Sequence, residues 1–289
     1  MSTFNNYPLS HDGTFEGGKS DVAILGVPSD MGATGPGGQR DAPMAIRNAG
    51  AWNHAEMYDT MSGRSVTCNV VDAGNVLIAA GDLIDTGINV AVTTREIMHN
   101  TNFLIVLGGD HSISRFVVSS LDNPYLVVFD AHSDLWEPAT AGAYDHGTWL
   151  YDVLEAEMVS GACVVGHRCI GTTEDMWAAV DHIHADEYRA DPDAALAKII
   201  ALADGRPTYL SIDIDVVDPA FAPGTGTPEP GGLTSWDILN AAYQLNCDLN
   251  TVAMDITEVL PARDVSDITT KLASRIIVKS LLAKSTVSL

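Results

Sequence analysis

The sequence predicts an α/β domain built on a parallel sheet. Three apolar runs, Phe103 to Leu107, Leu126 to Phe129 and Tyr209 to Ile212, are short and rich in aliphatic and aromatic residues, as strands covered on both faces must be. Each leads directly into an acidic or histidine-bearing segment: Gly108-Gly109-Asp110-His111-Ser112, Asp130-Ala131-His132-Ser133-Asp134 and Asp213-Ile214-Asp215. Helix-compatible stretches alternate with the apolar runs, and this β-then-α repeat argues for a parallel sheet with helices on both sides. The C-terminal edge of such a sheet is where binding crevices form, so residues far apart in sequence can converge there.

In chain order, Ser2 to Ser20 is polar and contains glycine, without the charged-then-apolar order of a signal peptide. Residues 1–20 are therefore expected to form an arm, and residues 21–289 a single domain. Asp21 to Val27 reads as a buried strand. A helix opens at Asp41, an N-cap with Pro43 in the first turn, where the missing N–H of proline has no helical partner to lose. Asp181-His182-Ile183-His184 has the alternation of a strand, Ala194 to Ala203 reads as a helix, and further helices are expected after Thr234 and around Asp267. With 289 residues, 46% hydrophobic and 18% charged, the chain can bury one large core.

Charge narrows the partners. Fifteen basic against 38 acidic residues give −23 with neutral histidine, a field that repels nucleic acid and anionic membranes. No apolar run approaches the roughly 18 residues that span a bilayer. Four cysteines, Cys68, Cys163, Cys169 and Cys247, lack close metal-type spacing and fit a reducing cytoplasm. Gly35 to Gly38 lacks the Lys-Ser/Thr of a phosphate-binding loop, which argues against nucleotides.

The strand-end residues carry the chemistry. On extended backbone, side chains at i, i+2 and i+4 share a face, so Asp130, His132 and Asp134 are expected to point together, as are Asp213 and Asp215. Adding His111 gives four carboxylates and two imidazoles, too many for one ion and suited to two divalent ions sharing bridging carboxylates. An oxygen-rich shell without thiolate favours Mn²⁺, and the imidazoles leave Ni²⁺, Co²⁺ or Fe²⁺ open. A single Asp-x-Asp or lone histidine is more often a loop residue or cap, and the joint pattern is what reverses that. His182 and His184 have no accompanying carboxylate pair and read as structural, while Asp110 and Asp218 read as hydrogen-bond acceptors in turns. His11, His54, His99 and His167 carry no usable signal.

Together these segments resemble the ureohydrolase family of agmatinases and arginases, and the agmatinase branch most closely. The resemblance rests on Gly-Gly-Asp-His-Ser at 108 to 112, Phe-Asp-Ala-His-Ser-Asp at 129 to 134 and Ser-Ile-Asp-Ile-Asp-Val-Val-Asp-Pro-Ala-Phe-Ala-Pro-Gly-Thr-Gly-Thr-Pro at 211 to 228. It extends to Gly-Val-Pro-Ser-Asp-Met-Gly at 26 to 32, Ala-Ile-Arg at 45 to 47, His-Gly-Thr at 146 to 148 and Met-Asp-Ile-Thr-Glu-Val at 254 to 259.

The resemblance implies a three-layer α/β/α arginase-like fold with a central, mainly parallel sheet. It also implies hydrolysis of a guanidino compound to urea and an amine. His111 and Asp134 would ligate one metal, His132 and Asp215 the other, and Asp130 and Asp213 would bridge, with both ions lowering the pKa of a shared water. Asp134 would pass a proton to the departing nitrogen, His146 would shuttle protons or contact substrate, and Glu258 would grip the guanidinium. The expected substrate is a small cationic guanidine or a guanidino acid, agmatine foremost. Formiminoglutamate hydrolysis, releasing formamide, is the alternative. A non-catalytic assembly subunit is a third reading, and the intact ligand set opposes it. Family members form trimers or hexamers, so a homo-oligomer is expected.

The chain departs from the agmatinase pattern in two places. Gly35-Pro36-Gly37-Gly38-Gln39-Arg40-Asp41-Ala42-Pro43 stands where Arg-Pro-Gly-Ala-Arg followed by Gly-Pro is typical, and Trp149-Leu150-Tyr151 follows His146-Gly147-Thr148 in place of Pro-Phe. Aromatics at a rim could wall off a small pocket, but ordinary packing is the favoured role for Trp149 and for Trp136 in the preceding loop.

Overall fold

The computed structural model describes residues 4–6, 18–50, 57–140, 142–169 and 174–285, so most of the expected N-terminal arm lies outside the described residues. The strands are β1 (Phe4–Asn6), β2 (Ser20–Gly26), β3 (Tyr58–Asp59), β4 (Arg64–Ser65), β5 (Val70–Asn75) and β6 (Thr101–Leu107). They continue with β7 (Tyr125–Phe129), β8 (Gly161–Val165), β9 (Asp181–Ile183), β10 (Thr208–Asp213) and β11 (Thr251–Thr257). Among the described residues, nine of these form one sheet in the order β1-β5-β2-β6-β11-β10-β7-β8-β9, with every pairing parallel. The short pair β3 and β4 forms a separate antiparallel hairpin.

Parallel strands need crossovers, and these are supplied by α1 (Ala42–Ala49), α2 (Leu83–Met98), α3 (Ile113–Val118), α4 (Trp149–Glu155) and α5 (Glu174–Ala178). Later in the chain come α6 (Ala185–Ala190), α7 (Pro192–Ala203), α8 (Ser235–Asp248) and α9 (Ile268–Lys284). Alternate residues of each central strand face opposite layers. Ile105, Leu107, Val127, Phe129, Leu210 and Ile212 join one core with Ile46, Ile199, Leu245 and Ile276 from α1, α7, α8 and α9. Leu104, Val106, Leu126, Val128 and Tyr209 join a second core with Val90, Phe116 and Trp149 from α2, α3 and α4. The result is the expected three-layer α/β/α fold. Full burial of a Val, Leu, Ile or Phe side chain stabilises by roughly 1.5–3 kcal/mol, so two complete cores hold the sheet rigidly under its loops.

Local signals set the helix starts. Asp41 precedes α1 with proline in the first turn, although its carboxylate makes no capping bond. Asp191 accepts from the Ala194 N–H and opens α7 two residues earlier than the apolar pattern alone suggests. Thr234 and Asp237 form a reciprocal capping box at α8.

Close backbone contact at the end of β6 carries a testable consequence. The Asp110 N–H donates to Ser29 O at 2.9 Å, and a Cβ on Gly109 would lie 1.6 Å from that same oxygen. Gly109→Ala must therefore push the segment after β2 off the end of β6. We expect a loss of about 2–3 kcal/mol and a thermal midpoint several degrees lower. An unchanged midpoint would contradict this packing.

Candidate metal centre

Strands β6, β11, β10 and β7 are consecutive in the sheet and end on one edge. The chain leaving them carries His111, then Glu258, then Asp213 and Asp215, then Asp130, His132 and Asp134. All six expected ligands are brought together, but not by alternation on extended backbone. Asp213 closes β10, and its Oδ1 accepts the Asp215 N–H at 2.8 Å as the chain enters a 3-10 turn over Ile214–Val216. Asp130 Oδ1 likewise accepts the His132 N–H at 2.6 Å, and Asp134 adopts a left-handed φ of 51°. Each carboxylate turns its own loop back towards the strand end, an economical way to aim several short side chains at one point.

His111 Nδ1 lies 3.0 Å from Asp134 Oδ2, 3.1 Å from Asp130 Oδ2 and 3.2 Å from Asp213 Oδ2. His132 Nδ1 lies 2.9 Å from Asp215 Oδ2 and 3.4 Å from Asp130 Oδ1. Two groups of donor atoms could each hold a metal ion, His111–Asp130–Asp213 and Asp130–His132–Asp215, with Asp130 in both. Among the described residues, His111 Nδ1 and Asp130 Oδ2 are buried without a hydrogen-bond partner. Leaving such atoms unpaired costs about 1–3 kcal/mol each, and they are the atoms a cation would engage. A set of carboxylate and imidazole donors fits a divalent cation.

The packed charge is visible in the titration of the groups. Burial opposes charge on His111, but Asp130, Asp134 and Asp213 outweigh it and hold its pKa well above the ordinary value. Burial also opposes charge on His132, and Asp130 and Asp215 raise it in the same way. Burial followed by Asp215 and Asp130 pushes Asp213 far above the carboxylate range, and burial followed by Asp130 raises Asp134.

A second layer orients the donors. Ser211 Oγ donates to Asp255 Oδ1 at 2.7 Å, so its oxygen accepts from His111 Nε2 at 2.8 Å and turns Nδ1 towards the carboxylates. Asp255 also accepts the hydroxyls of Ser114 and Tyr209. Asp134 Oδ2 accepts the Trp149 indole N–H at 2.8 Å, and the Trp149 ring tilts against His111 at 4.8 Å. Trp149 thus packs in the core, as favoured, and also holds a site carboxylate. Asp215 accepts the Ala131 N–H and the Thr227 hydroxyl, both at 3.1 Å. Asp110 and Asp218 accept backbone amides, as the sequence suggests.

His146 and Glu258 meet at the same place. Glu258 is 1% exposed at a left-handed φ of 60°; its Oε1 accepts the His111 N–H at 2.8 Å and lies 3.1 Å from His146 Nδ1. Burial opposes charge on His146, but Glu258 raises its pKa to about 9. The Thr34 N–H lies 3.2 Å from Nε2, and Nδ1, facing a carboxylate oxygen that only accepts, carries a proton. His132, Asp134, His146 and Asp213 face a cavity of about 310 Å³, and Trp136, 55% exposed, stands at its wall instead of packing in the core as favoured.

Thr34, Gln39, Ser211 and Asp255 escape the sequence reading as site residues. Ser211 and Asp255 fall inside the motifs of the resemblance and Gln39 inside the segment that departs from the family pattern, and those positions are the signals that could have found them. His182 and His184 pack with His167 around Trp177, with rings 4.4–5.8 Å apart, and none belongs to a metal-holding group among the described residues. Burial pushes the Cys169 thiol up to about 11, away from reactivity. His11 and His54 lie outside the described residues.

Fold and site together place donors for divalent cations at the C-terminal edge of a parallel sheet. The arginase family pattern matches residues 20–283, and the chain belongs to that family, hydrolases acting on amidine C–N bonds. It is 32% identical over 271 residues to an agmatinase of Shigella sonnei, covering 91% of this chain and 87% of that protein. A hypothetical agmatinase from Burkholderia thailandensis superposes with a TM-score of 0.84 at 30% identity, covering 93% of this chain and 86% of that one. Proclavaminate amidino hydrolase from Streptomyces clavuligerus superposes with a TM-score of 0.88 at 28% identity, covering 99% and 97%.

The histidine cluster beside the site makes a pH-dependent contribution to stability. Burial, then His184, lowers the His167 pKa from 6.5 to about 4. Above the unfolded value both states are neutral and the contribution is complete. As pH falls from 6.5 towards 4, the unfolded chain takes up a proton that the folded chain refuses, and stability is lost. In urea unfolding of metal-stripped protein, His167→Phe should lose less stability than the parent across that window. Parallel curves would show that the ring titrates normally.

Proposed function

We propose that this chain uses two divalent ions, Mn²⁺ foremost and Ni²⁺ as the alternative, to hydrolyse a small guanidine with a cationic tail, agmatine leading, to urea and an amine. The observation that carries this reading is the sharing of Asp130 between two carboxylate–imidazole groups beside the cavity. His111 and Asp134 would hold one ion, His132 and Asp215 the other, and Asp130 and Asp213 would bridge. Bound there, the ions supply Lewis acidity that brings the pKa of a water towards neutrality. The remaining work falls to the chain's own groups. Glu258 and His146 orient the guanidinium through charge-assisted hydrogen bonds. Asp134, held by the Trp149 N–H, would take a proton from the attacking water and pass it to the departing nitrogen.

The tail preference follows from the cavity wall. Beyond the ligand set it includes Glu137 and Asp145, and none of the described lining residues is Lys or Arg. A carboxylate tail, as in guanidino acids or formiminoglutamate, would meet negative charge without a partner, whereas an ammonium tail would be attracted. The agmatinase relatives support the same choice. The full donor set argues against a non-catalytic assembly subunit. We further infer an arm over residues 1–20, which contributes β1 to the sheet edge beside β5, on one domain over 21–289, a trimer or hexamer of identical chains, and residence in the cytoplasm. No helix among the described residues is long and apolar enough to cross a membrane.

Urea release by metal-stripped protein reloaded separately with Mn²⁺, Ni²⁺ or Zn²⁺ tests the reaction across agmatine, guanidino acids, arginine and guanidine, with a parallel formamide assay on formiminoglutamate. Metal-dependent urea from agmatine is the expected result. Formamide instead, or no urea from any substrate with two ions bound, would overturn the reading. Glu137→Gln should raise KM for agmatine about two- to fivefold, the effect of an exposed charge pair, and leave KM for tail-less guanidine unchanged. An equal effect on both substrates would remove Glu137 from tail recognition.

A further inference from the structure

The segment that departs from the family's Arg-Pro-Gly-Ala-Arg pattern delivers a side chain into the site. Gly38 has a φ of 126°, in the left-handed region that favours glycine, and a Cβ there would lie 2.7 Å from Leu260 Cδ1. Asp30 Oδ2 accepts the Gly38 N–H at 2.7 Å and the Arg40 Nε–H at 2.9 Å, clamping the chain on both sides of residue 39. Gln39 is thereby turned inward and is 1% exposed.

Its Nε2 donates to Glu258 Oε2 at 2.9 Å, while its Oε1 is buried with no partner among the described residues. A carboxylate oxygen only accepts, so the amide nitrogen must be the end that faces Glu258. Among the described residues, the hydrogen bond to Glu258 is the one the amide makes. With the His111 N–H and His146 on Oε1, Gln39 completes the donors fixing both oxygens of the carboxylate.

We propose that Gln39 is a positioning residue that aims the Glu258 carboxylate at the guanidinium and so sets substrate affinity; this rests on the proposed role of Glu258 as the guanidinium grip. A lost hydrogen bond to a charged group corresponds to roughly a ten- to hundredfold change in binding. Gln39→Met keeps the length of the side chain and removes the donor, and Gln39→Ala removes both.

In Mn²⁺-loaded protein, both variants should raise KM for agmatine and weaken calorimetric binding of guanidinium ion by that factor, with kcat within a few-fold of the parent and with metal content and thermal midpoint retained. If Gln39 only fills space, Q39M will match the parent while Q39A alone falls, and the proposal is overturned. A loss that follows metal content or thermal midpoint in both variants overturns it as well. The two readings fail separately. Absence of urea from the parent sinks the proposed reaction, whereas guanidinium affinity still decides Gln39: weaker binding by Q39M supports it, and equal or absent binding in parent and variant refutes it.

Discussion

Four buried aspartates crowd around two imidazoles, and the rest of the structure is arranged to make that possible. Asp130, Asp134 and Asp213 all approach His111 Nδ1 within 3.2 Å, while Asp130 and Asp215 flank His132. Like charges at such spacing in a buried site repel strongly, and isolated buried carboxylates are costly. Backbone amides of Ala131, His132 and Asp215, the Trp149 indole and the Thr227 hydroxyl offset part of that cost. Divalent cations would offset the remainder, which ties the folded geometry of the site to metal affinity.

The sheet makes the crowding sustainable. Its central strands are buried on both faces, so their ends cannot splay to relieve repulsion without opening a packed core. Backbone strain appears at the site as well as charge. Asp134 and Glu258 both occupy left-handed conformations, which cost about 1–3 kcal/mol for residues with a side chain and persist where the surroundings fix them. Asp134 is held through Trp149 and Glu258 through His111, His146 and Gln39, so both strained residues are tethered by their side chains.

Strands β6, β7 and β10 are legible in the sequence because burial on both faces leaves an unbroken apolar run, and the ligands are legible because few residue types can bind a cation. The route by which the ligands meet is not. Asp130 and Asp213 cap their own loops, and a one-dimensional pattern does not distinguish that turn from two more residues of strand. Helix α2 is obscured by Gly87 and by the β-branched Thr86, Val90, Val92, Thr93 and Thr94, which weaken its local propensity while tertiary packing keeps it helical. Gln39 reaches Glu258 across 219 residues, a contact that depends on the sheet order and on the Asp30 clamp.

The most direct test of a two-ion centre bridged by Asp130 is the electron paramagnetic resonance spectrum of Mn²⁺-loaded protein, with bound manganese counted per chain. Two ions per chain with an exchange-coupled signal, replaced in Asp130→Asn by fewer ions or by uncoupled Mn²⁺, is the expected result. One ion per chain in the parent, or an exchange-coupled pair that survives Asp130→Asn unchanged, would contradict the bridged centre.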